Sequence, residues 1–213
     1  SGWTGTLGSG SRGADAGHIP AGGERAPAAR CGAGGVGASG VIVDDASGVS
    51  GAGKVPKPNT HFNTVNEDFI AYGLLNHRHT PEMEQASGAQ ILFTPHLAPM
   101  NRGILATCYA RPTGATSTAA LLAALKDAYA HEPFVVVNER SPSTKATFGS
   151  TAAHITAPYD ERPGCVPVLC ALAHLAKAAP GPLVQCTNPT TRPPRPPRPP
   201  PPANRPSPLP QRA

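Results

Sequence analysis

No C-x-x-C pair occurs among the five cysteines of this 213-residue chain, and five is an odd number. A disulfide framework is therefore not indicated, and a reduced, soluble, cytoplasmic protein is the simplest expectation. No apolar run is long enough to cross a bilayer, and no secretory h-region stands near the start, so no membrane partner is expected. No internal repeat recurs at a useful period. Acidic side chains are missing from residues 189–213, which carry Arg192, Arg195, Arg198, Arg205 and Arg212. Those five arginines account for the whole excess of 18 basic over 13 acidic side chains. The basic character belongs to the tail, and the formally neutral body gives no reason to expect nucleic acid as a partner.

Three zones follow. Residues 1–40 hold thirteen glycines with much alanine and serine, a composition with little to bury and much backbone entropy to lose. GAGGVG within it (Gly32, Gly34, Gly37) matches the dinucleotide fingerprint, but the preceding ERAPAARC has no strand pattern to aim such a loop. Residues 41–187 read as one globular domain. VIVDD (Val41–Asp45) is a short apolar run ending in the turn-like SGVSGAG, and HFNTV (His61–Val65) is a weaker strand candidate. ILFTPHL (Ile91–Leu97) and GILATCYA (Gly103–Ala110) alternate well enough for paired strands, with PMNRG as the turn of a hairpin. Leu121, Leu122, Leu125 and Tyr129 recur at helical spacing between about Thr116 and Ala130. PFVVV (Pro133–Val137) and CVPVLCAL (Cys165–Leu172) are further strands, the latter needing an edge or bulge for Pro167. Strands interspersed with a few helices predict an α+β domain. Residues 188–213 are proline-dominated. Polyproline II would line Arg192, Arg195 and Arg198 along one edge, and Pro193, Pro196 and Arg198 fit a P-x-x-P-x-R ligand pattern.

The densest chemistry lies in NHRHTPEMEQ (Asn76–Gln85). Thr80 as N-cap, Pro81 as the first helical residue and Glu82 in the first turn predict a helix start. Three readings compete there. A metal site could use His77, His79 and Glu82, but no fourth ligand lies at a telling spacing, so no metal is expected. A plain helix start explains Thr, Pro and Glu but not two histidines and an arginine. An anion site would use the free N–H groups of the helix, the Arg78 fork, and a histidine as general acid or base oriented by Glu82.

The chain resembles the N-acetyl-gamma-glutamyl-phosphate reductases. The resemblance is carried by VDDASGVSGAGK (Val43–Lys54), FNTVNEDFIAYGLLNHRHTPEMEQ (Phe62–Gln85) and LFTPHLAPMNRGILATCYA (Leu92–Ala110). DAYAHEPFV (Asp127–Val135) and LAHLAKAAPG (Leu172–Gly181) continue it in order. It implies a mixed, largely antiparallel sheet with helices on one face, as in the C-terminal half of the glyceraldehyde-3-phosphate dehydrogenase superfamily, and a homo-oligomer. The implied substrate is a small acyl phosphate and the implied cofactor NADP. A cysteine thiolate attacks the acyl phosphate, and the thioester then takes hydride to give a semialdehyde. His79 or His77 would assist the thiolate, with His79 favoured and Glu82 orienting it. Tyr72, Arg78, Arg102 and Lys177 would meet the substrate, and Ser47, Gly48, Ser50 and Gly51 would supply a tight backbone loop beside it. For Arg102, a solvated turn arginine is an equal reading.

Departures from the pattern matter as much. The family's GCYP-like nucleophile motif would fall near AGHIPAG, where His18 stands; the flanks of Cys31 do not match, and Cys108 lies inside a strand as a buried thiol. His174 stands where an asparagine is expected near the nicotinamide, and Pro180 and Pro182 interrupt that helix. The nucleotide-binding domain is absent from the resemblance. These departures fit reading-frame shifts near residue 40 and beyond about residue 187, and the isolated chain is expected to be inactive. Two alternatives stand beside this: a non-catalytic interaction protein using the Pro/Arg tail, and an aspartate-semialdehyde dehydrogenase, against which SGVSGAG and HRHTPE argue.

Overall fold

The structure is a computed structural model and describes residues 36–53 and 55–173. Its centre is β1 (Val41–Gly48), where Val41, Val43, Asp45 and Ser47 point one way and Ile42, Asp44 and Ala46 the other. Three further long strands repeat that alternation: β3 (Ile91–Ala98), β4 (Ile104–Ala110) and β7 (Val166–Leu172). With β2 (Ile70–Ala71), β5 (Val135–Val137) and β6 (Ala153–Thr156) they form one seven-stranded sheet in the order β2-β3-β1-β4-β7-β6-β5. Only β1–β3 and β5–β6 pair in parallel, so the sheet is mixed and largely antiparallel, and the domain is α+β.

The expected hairpin of residues 91–97 and 103–110 does not form. β1 inserts between the two strands, parallel to β3 (Val43 opposite Phe93) and antiparallel to β4 (Val43 opposite Cys108). The PMNRG segment crosses over the end of β1 instead. β1 also outruns its expected end, and the chain then makes a 3-10 turn at Val49–Ala52. HFNTV is a helical turn, α1 (Phe62–Val65), rather than a strand. Pro58 and a reciprocal bond pair between Lys57 and Thr60 curl the chain just before it. Of its four residues only Val65 is buried, so it has no alternating apolar row to offer a sheet.

The next helix, α2 (Thr80–Ser87), starts one residue earlier than expected: His79 is the cap residue, and Thr80 and Pro81 open the first turn. α3 (Thr118–Ala128) is capped by Ser117, whose Oγ accepts from the Ala120 N–H at 3.2 Å. It buries Leu121, Leu122 and Leu125, each worth about 1.5–3 kcal/mol by removal from water. α4 (Thr144–Thr147) is a single turn. Met83 of α2 and Leu121 and Leu125 of α3 join Val41, Val43, Ile91, Phe93, Ile104, Cys108 and Val168 in one core, so these helices cover the same sheet face. Pro167 is tolerated because β6 reaches only Leu169 to Leu172 of β7, leaving the proline with β4 alone beside it.

None of the described helices covers the opposite face. Register places Ala71, His96, Ala46, Leu105, Ala171, His154 and Val136 in one row across all seven strands. Leu92, Ile42, Tyr109 and Pro167 form a second row, between which lie Asp44 and Thr107. Ile42, Leu92, Tyr109 and Val136 are exposed there.

Candidate functional site

Two loops gather the sequence-predicted residues, one at each side of the β1–β3 ribbon. The first enters α2. The Thr80 N–H donates to the His77 carbonyl at 3.1 Å and the Met83 N–H to that of His79 at 3.0 Å, closing the first turn. This winds His77 and His79 onto the helix-covered side of the sheet. Their rings meet edge to face with centroids 4.8 Å apart. The His77 ring also lies edge-on to Phe93 at 5.1 Å and to Tyr72 at 5.7 Å. His79 is buried, His77 half-buried, and Arg78 and Glu82 are exposed.

The backbone N–H of His79 donates to His77 Nδ1 at 3.3 Å. That bond makes Nδ1 an acceptor, so the neutral His77 ring carries its proton on Nε2. Burial holds the His77 pKa below its ordinary value. The adjacent Arg78 charge lowers it further, and the Glu82 carboxylate opposes both without prevailing. The Tyr72 phenol is pushed up to about 12 by burial and by the charge of Asp45, against the pull of Arg78. Tyr72, His77, Arg78, His79 and Glu82 are thus one mutually coupled group.

The second loop joins SGVSGAG to PMNRG. The Gly48 N–H donates to the Gly103 carbonyl (2.9 Å), Val49 to Met100 (2.9 Å) and Ser50 to Asn101 (3.2 Å), while Ser50 Oγ donates to the Asn101 carbonyl at 2.6 Å. A Cβ on Gly48 would stand 2.8 Å from the Arg102 backbone nitrogen, so only glycine allows the crossing chain to come this close. Ser47 is buried, with Oγ near the Gly48 carbonyl at 3.5 Å; Gly51 and Arg102 are exposed. Val49, Ser50, Gly53, Thr60, His61 and Asn101 line an open groove of about 310 Å³ beside this loop. Arg102 therefore belongs to the loop crossing and not to the histidine group.

Near the first loop lies Asp45, whose charge acts on Tyr72 and which the sequence reading did not name as a site residue. Its side chain projects into the core between Val43 and Ser47, opposite Pro95 and Ala106. It is 1% exposed, both carboxylate oxygens are buried without a hydrogen-bond partner, and burial raises its pKa to about 8. The signal was present: once Val41 and Val43 face inward, a period of two puts Asp45 inward as well.

Cys108 is fully buried, its thiol pushed up by burial and by the nearby Cys170 and Asp45, which excludes it as a nucleophile. Among the described residues no cluster of three His, Cys, Asp or Glu could hold a metal ion. Gly37 does not fit a dinucleotide phosphate either. Gly37, the last glycine of GAGGVG, donates its N–H to the Arg111 carbonyl at 2.9 Å beside a Val36–Pro112 bridge, and so is not free to meet a phosphate. Gly32, Gly34, His18, Cys31, Lys54, His174, Lys177 and the Pro/Arg tail lie outside the described residues.

The profile of one protein family, the semialdehyde dehydrogenase dimerisation domain, matches residues 25–173. The N-acetyl-gamma-glutamyl-phosphate reductase of Shouchella clausii is 44% identical over 155 residues, covering 70% of this chain and 45% of that protein. The reductase of the same name from Citrifermentans bemidjiense is 45% identical over 157 residues, with the same coverage. The chain thus spans about half the length of the curated relatives it matches. Among solved structures, aspartate semialdehyde dehydrogenase II from Vibrio cholerae superposes with a TM-score of 0.63 over 83% of this chain and 61% of that one, at 13% identity. A probable aspartate-semialdehyde dehydrogenase from Pseudomonas aeruginosa gives 0.60 over 80% and 61%, at 11% identity. Identities this low carry the fold alone.

Proposed function

This chain belongs to the semialdehyde dehydrogenase dimerisation-domain family, and from that premise we propose that it is the substrate-side, self-associating part of an N-acetyl-gamma-glutamyl-phosphate reductase. The observation that carries the proposal is that HRHTPE, the segment shared with the reductase pattern, folds against Tyr72 and brings His77, Arg78, His79 and Glu82 into one group with it. The reaction reduces an acyl phosphate to a semialdehyde in arginine biosynthesis, with NADP as the cofactor that supplies hydride. Cys108 is excluded as the nucleophile and Gly37 as a phosphate ligand, so thiol and cofactor seat would come from the remainder of such an enzyme, and this chain alone would be inactive.

What these side chains would contribute is proton and anion handling. His77 is the better-placed hydrogen-bond donor to a developing oxyanion, because its ring is half-buried with the proton fixed on Nε2 by the His79 N–H, whereas His79 is buried. The preference for His79 therefore passes to His77, with His79 as the positioning residue. Arg78 stands exposed beside it as the fork for a carboxylate or phosphate. Glu82 tunes His77 by its charge. Ser47, Gly48, Ser50 and Gly51 hold the second loop, and Arg102 and Lys177 remain candidates for anion contact. The open sheet face would take a second copy, since its apolar rows are otherwise left in water. A cytoplasmic location fits a biosynthetic enzyme of this kind.

Isothermal titration calorimetry with N-acetyl-L-glutamate, a stable stand-in for the acyl phosphate, tests the reading. Binding that is lost in Arg78→Ala and retained in Arg111→Ala is expected. Absence of binding, or equal binding by both variants, would sink it.

A further inference from the structure

The open sheet face carries a row that reads nearly the same from either end. From β2 to β5 it runs Ala71, His96, Ala46, Leu105, Ala171, His154, Val136. Leu105 on β4 is its middle, and each histidine stands two strands away, one on either side. At about 4.8 Å per strand, each imidazole is rooted roughly 10 Å from that centre. Both histidines are half-buried. His96 also stacks flat on Phe69, with ring centroids 5.1 Å apart and planes 2° from parallel.

Consider a second copy laid on this face by a two-fold axis that runs between the sheets along β4. Such an axis reverses the order of the strands and keeps the height along them. His96 then meets the partner's His154, Ala46 meets the partner's Ala171, and Leu105 meets its own counterpart. Packed sheets cross at about 30°, which displaces points roughly 10 Å from the axis by about 5 Å, within the reach of an imidazole side chain. The row is thus self-complementary, as an interface between identical copies must be.

We propose that self-association on this face is switched by protons: two copies set His96 of each against His154 of the other, and they part when these imidazoles become charged. The proposal rests on the reading that a second copy covers this face, and adds the arrangement and its control. In the separate chain, burial already holds the His154 pKa below its ordinary value. Covering the face removes the remaining water and lowers it further, so the associated form binds protons less tightly than the separate one. Association is therefore full above the pKa of the separate chain. It weakens as pH falls below that value, by up to about tenfold per pH unit for each histidine. Charged rings facing each other across the axis add repulsion.

The other ionisable groups of the face lie on the His96 side or nearer the centre. Asp44 is diagonal to His96 in the next row and attracts it once charged; Tyr109 lies one row beyond, and Asp68, next to Phe69 in the chain, is exposed. His154 is flanked on the face by Val136 and Ala171, which carry no charge, so it is the more sensitive of the pair.

Sedimentation equilibrium of the full chain at pH 7.5, 6.5 and 5.5 reads the dimer dissociation constant. Far-ultraviolet circular dichroism at each pH keeps dissociation apart from unfolding. The constant should rise roughly tenfold or more from pH 7.5 to 5.5, and the double variant His96→Gln, His154→Gln should lose most of that rise. The single variant His96→Glu sets a carboxylate against the partner's His154, so its association should strengthen in acid instead. A wild-type constant that ignores pH, or an undiminished rise in the double variant, overturns the switch while the dimer stands. Acid weakening that persists in His96→Glu overturns the facing of the two histidines. A chain that is monomeric at every pH, or a dimer in which hydrogen exchange protects some other surface, removes the second-copy reading and the switch with it.

Discussion

Replacing Asp45 by asparagine should stabilise this domain at neutral pH, and the gain should vanish in acid. The carboxyl is folded with a pKa of about 8 against an ordinary 3.8, because burial disfavours the charged form. A raised carboxyl pKa means that the native state binds the proton more tightly than the unfolded chain. Its stabilising effect is full below about pH 4, falls as pH rises, and is spent once pH passes 8. At about 1.4 kcal/mol for each pH unit, some three units between pH 4 and 7 amount to roughly 4 kcal/mol. Asparagine keeps the shape and cannot ionise, but its amide leaves a buried donor unmatched at a cost of about 1–3 kcal/mol. A net gain of roughly 1–3 kcal/mol near pH 7 follows, with a small loss at pH 4.5. Against a typical domain stability of about 5–15 kcal/mol this is readily measured. Urea unfolding of both proteins, followed by far-ultraviolet circular dichroism from pH 4.5 to 8.5, gives the difference at each pH, in which the other titrating groups cancel. A difference independent of pH would refute the reasoning. So would an asparagine variant that is less stable at pH 8, which would mean that a cation pairs with Asp45.

Two further outcomes check the site and the open face. In a nuclear magnetic resonance titration the His77 ring should protonate below the ordinary histidine range; Arg78→Ala should move its midpoint upward and Glu82→Gln downward, and shifts of opposite sign would contradict the coupled group. Tyr109→Lys places a charge in the middle of the uncovered sheet face; sedimentation equilibrium should show self-association weakened by roughly tenfold or more with thermal stability unchanged, and an undisturbed dimer would place the contact elsewhere.

Individual elements were legible where a single physical signal decided them. Alternation in β3 and β4, the apolar runs of β1 and β7 and the leucine spacing of α3 each mark a buried element, and the Thr80-Pro81-Glu82 start held to within one residue. Pairing was not legible. A five-residue link such as PMNRG spans at most about 18 Å, enough either for adjacent strands about 4.8 Å apart or for a step of about 10 Å over an intervening one. Both arrangements bury the same side chains, so alternation could not choose between them, and β1 won the central place. HFNTV misled because its apolar residues look strand-like while the turn that precedes it, set by Lys57, Pro58 and Thr60, is a local hydrogen-bond matter. The site was half visible. Sequence adjacency alone brings His77, Arg78, His79 and Glu82 together, but which imidazole turns inward depends on the loop bend through Gly73 and Leu75. Asp45 went unnoticed because it stood as the last residue of the short run Val41–Asp45, whereas β1 continues to Gly48 and keeps it in the middle of the strand.

The insertion of β1 between two later strands has a consequence for synthesis. Val41 finds its partner at Ile91, roughly 50 residues on, and Ile42 meets Tyr109 later still. At about 5–20 residues per second the nascent β1 leaves the ribosome several seconds before either neighbour has been made. During that interval the Val41–Gly48 ribbon has both hydrogen-bonding edges unoccupied, a template open to any other extended chain. Chaperone capture, or slowed translation just after residue 110, would therefore govern the yield of this domain more than its final stability does.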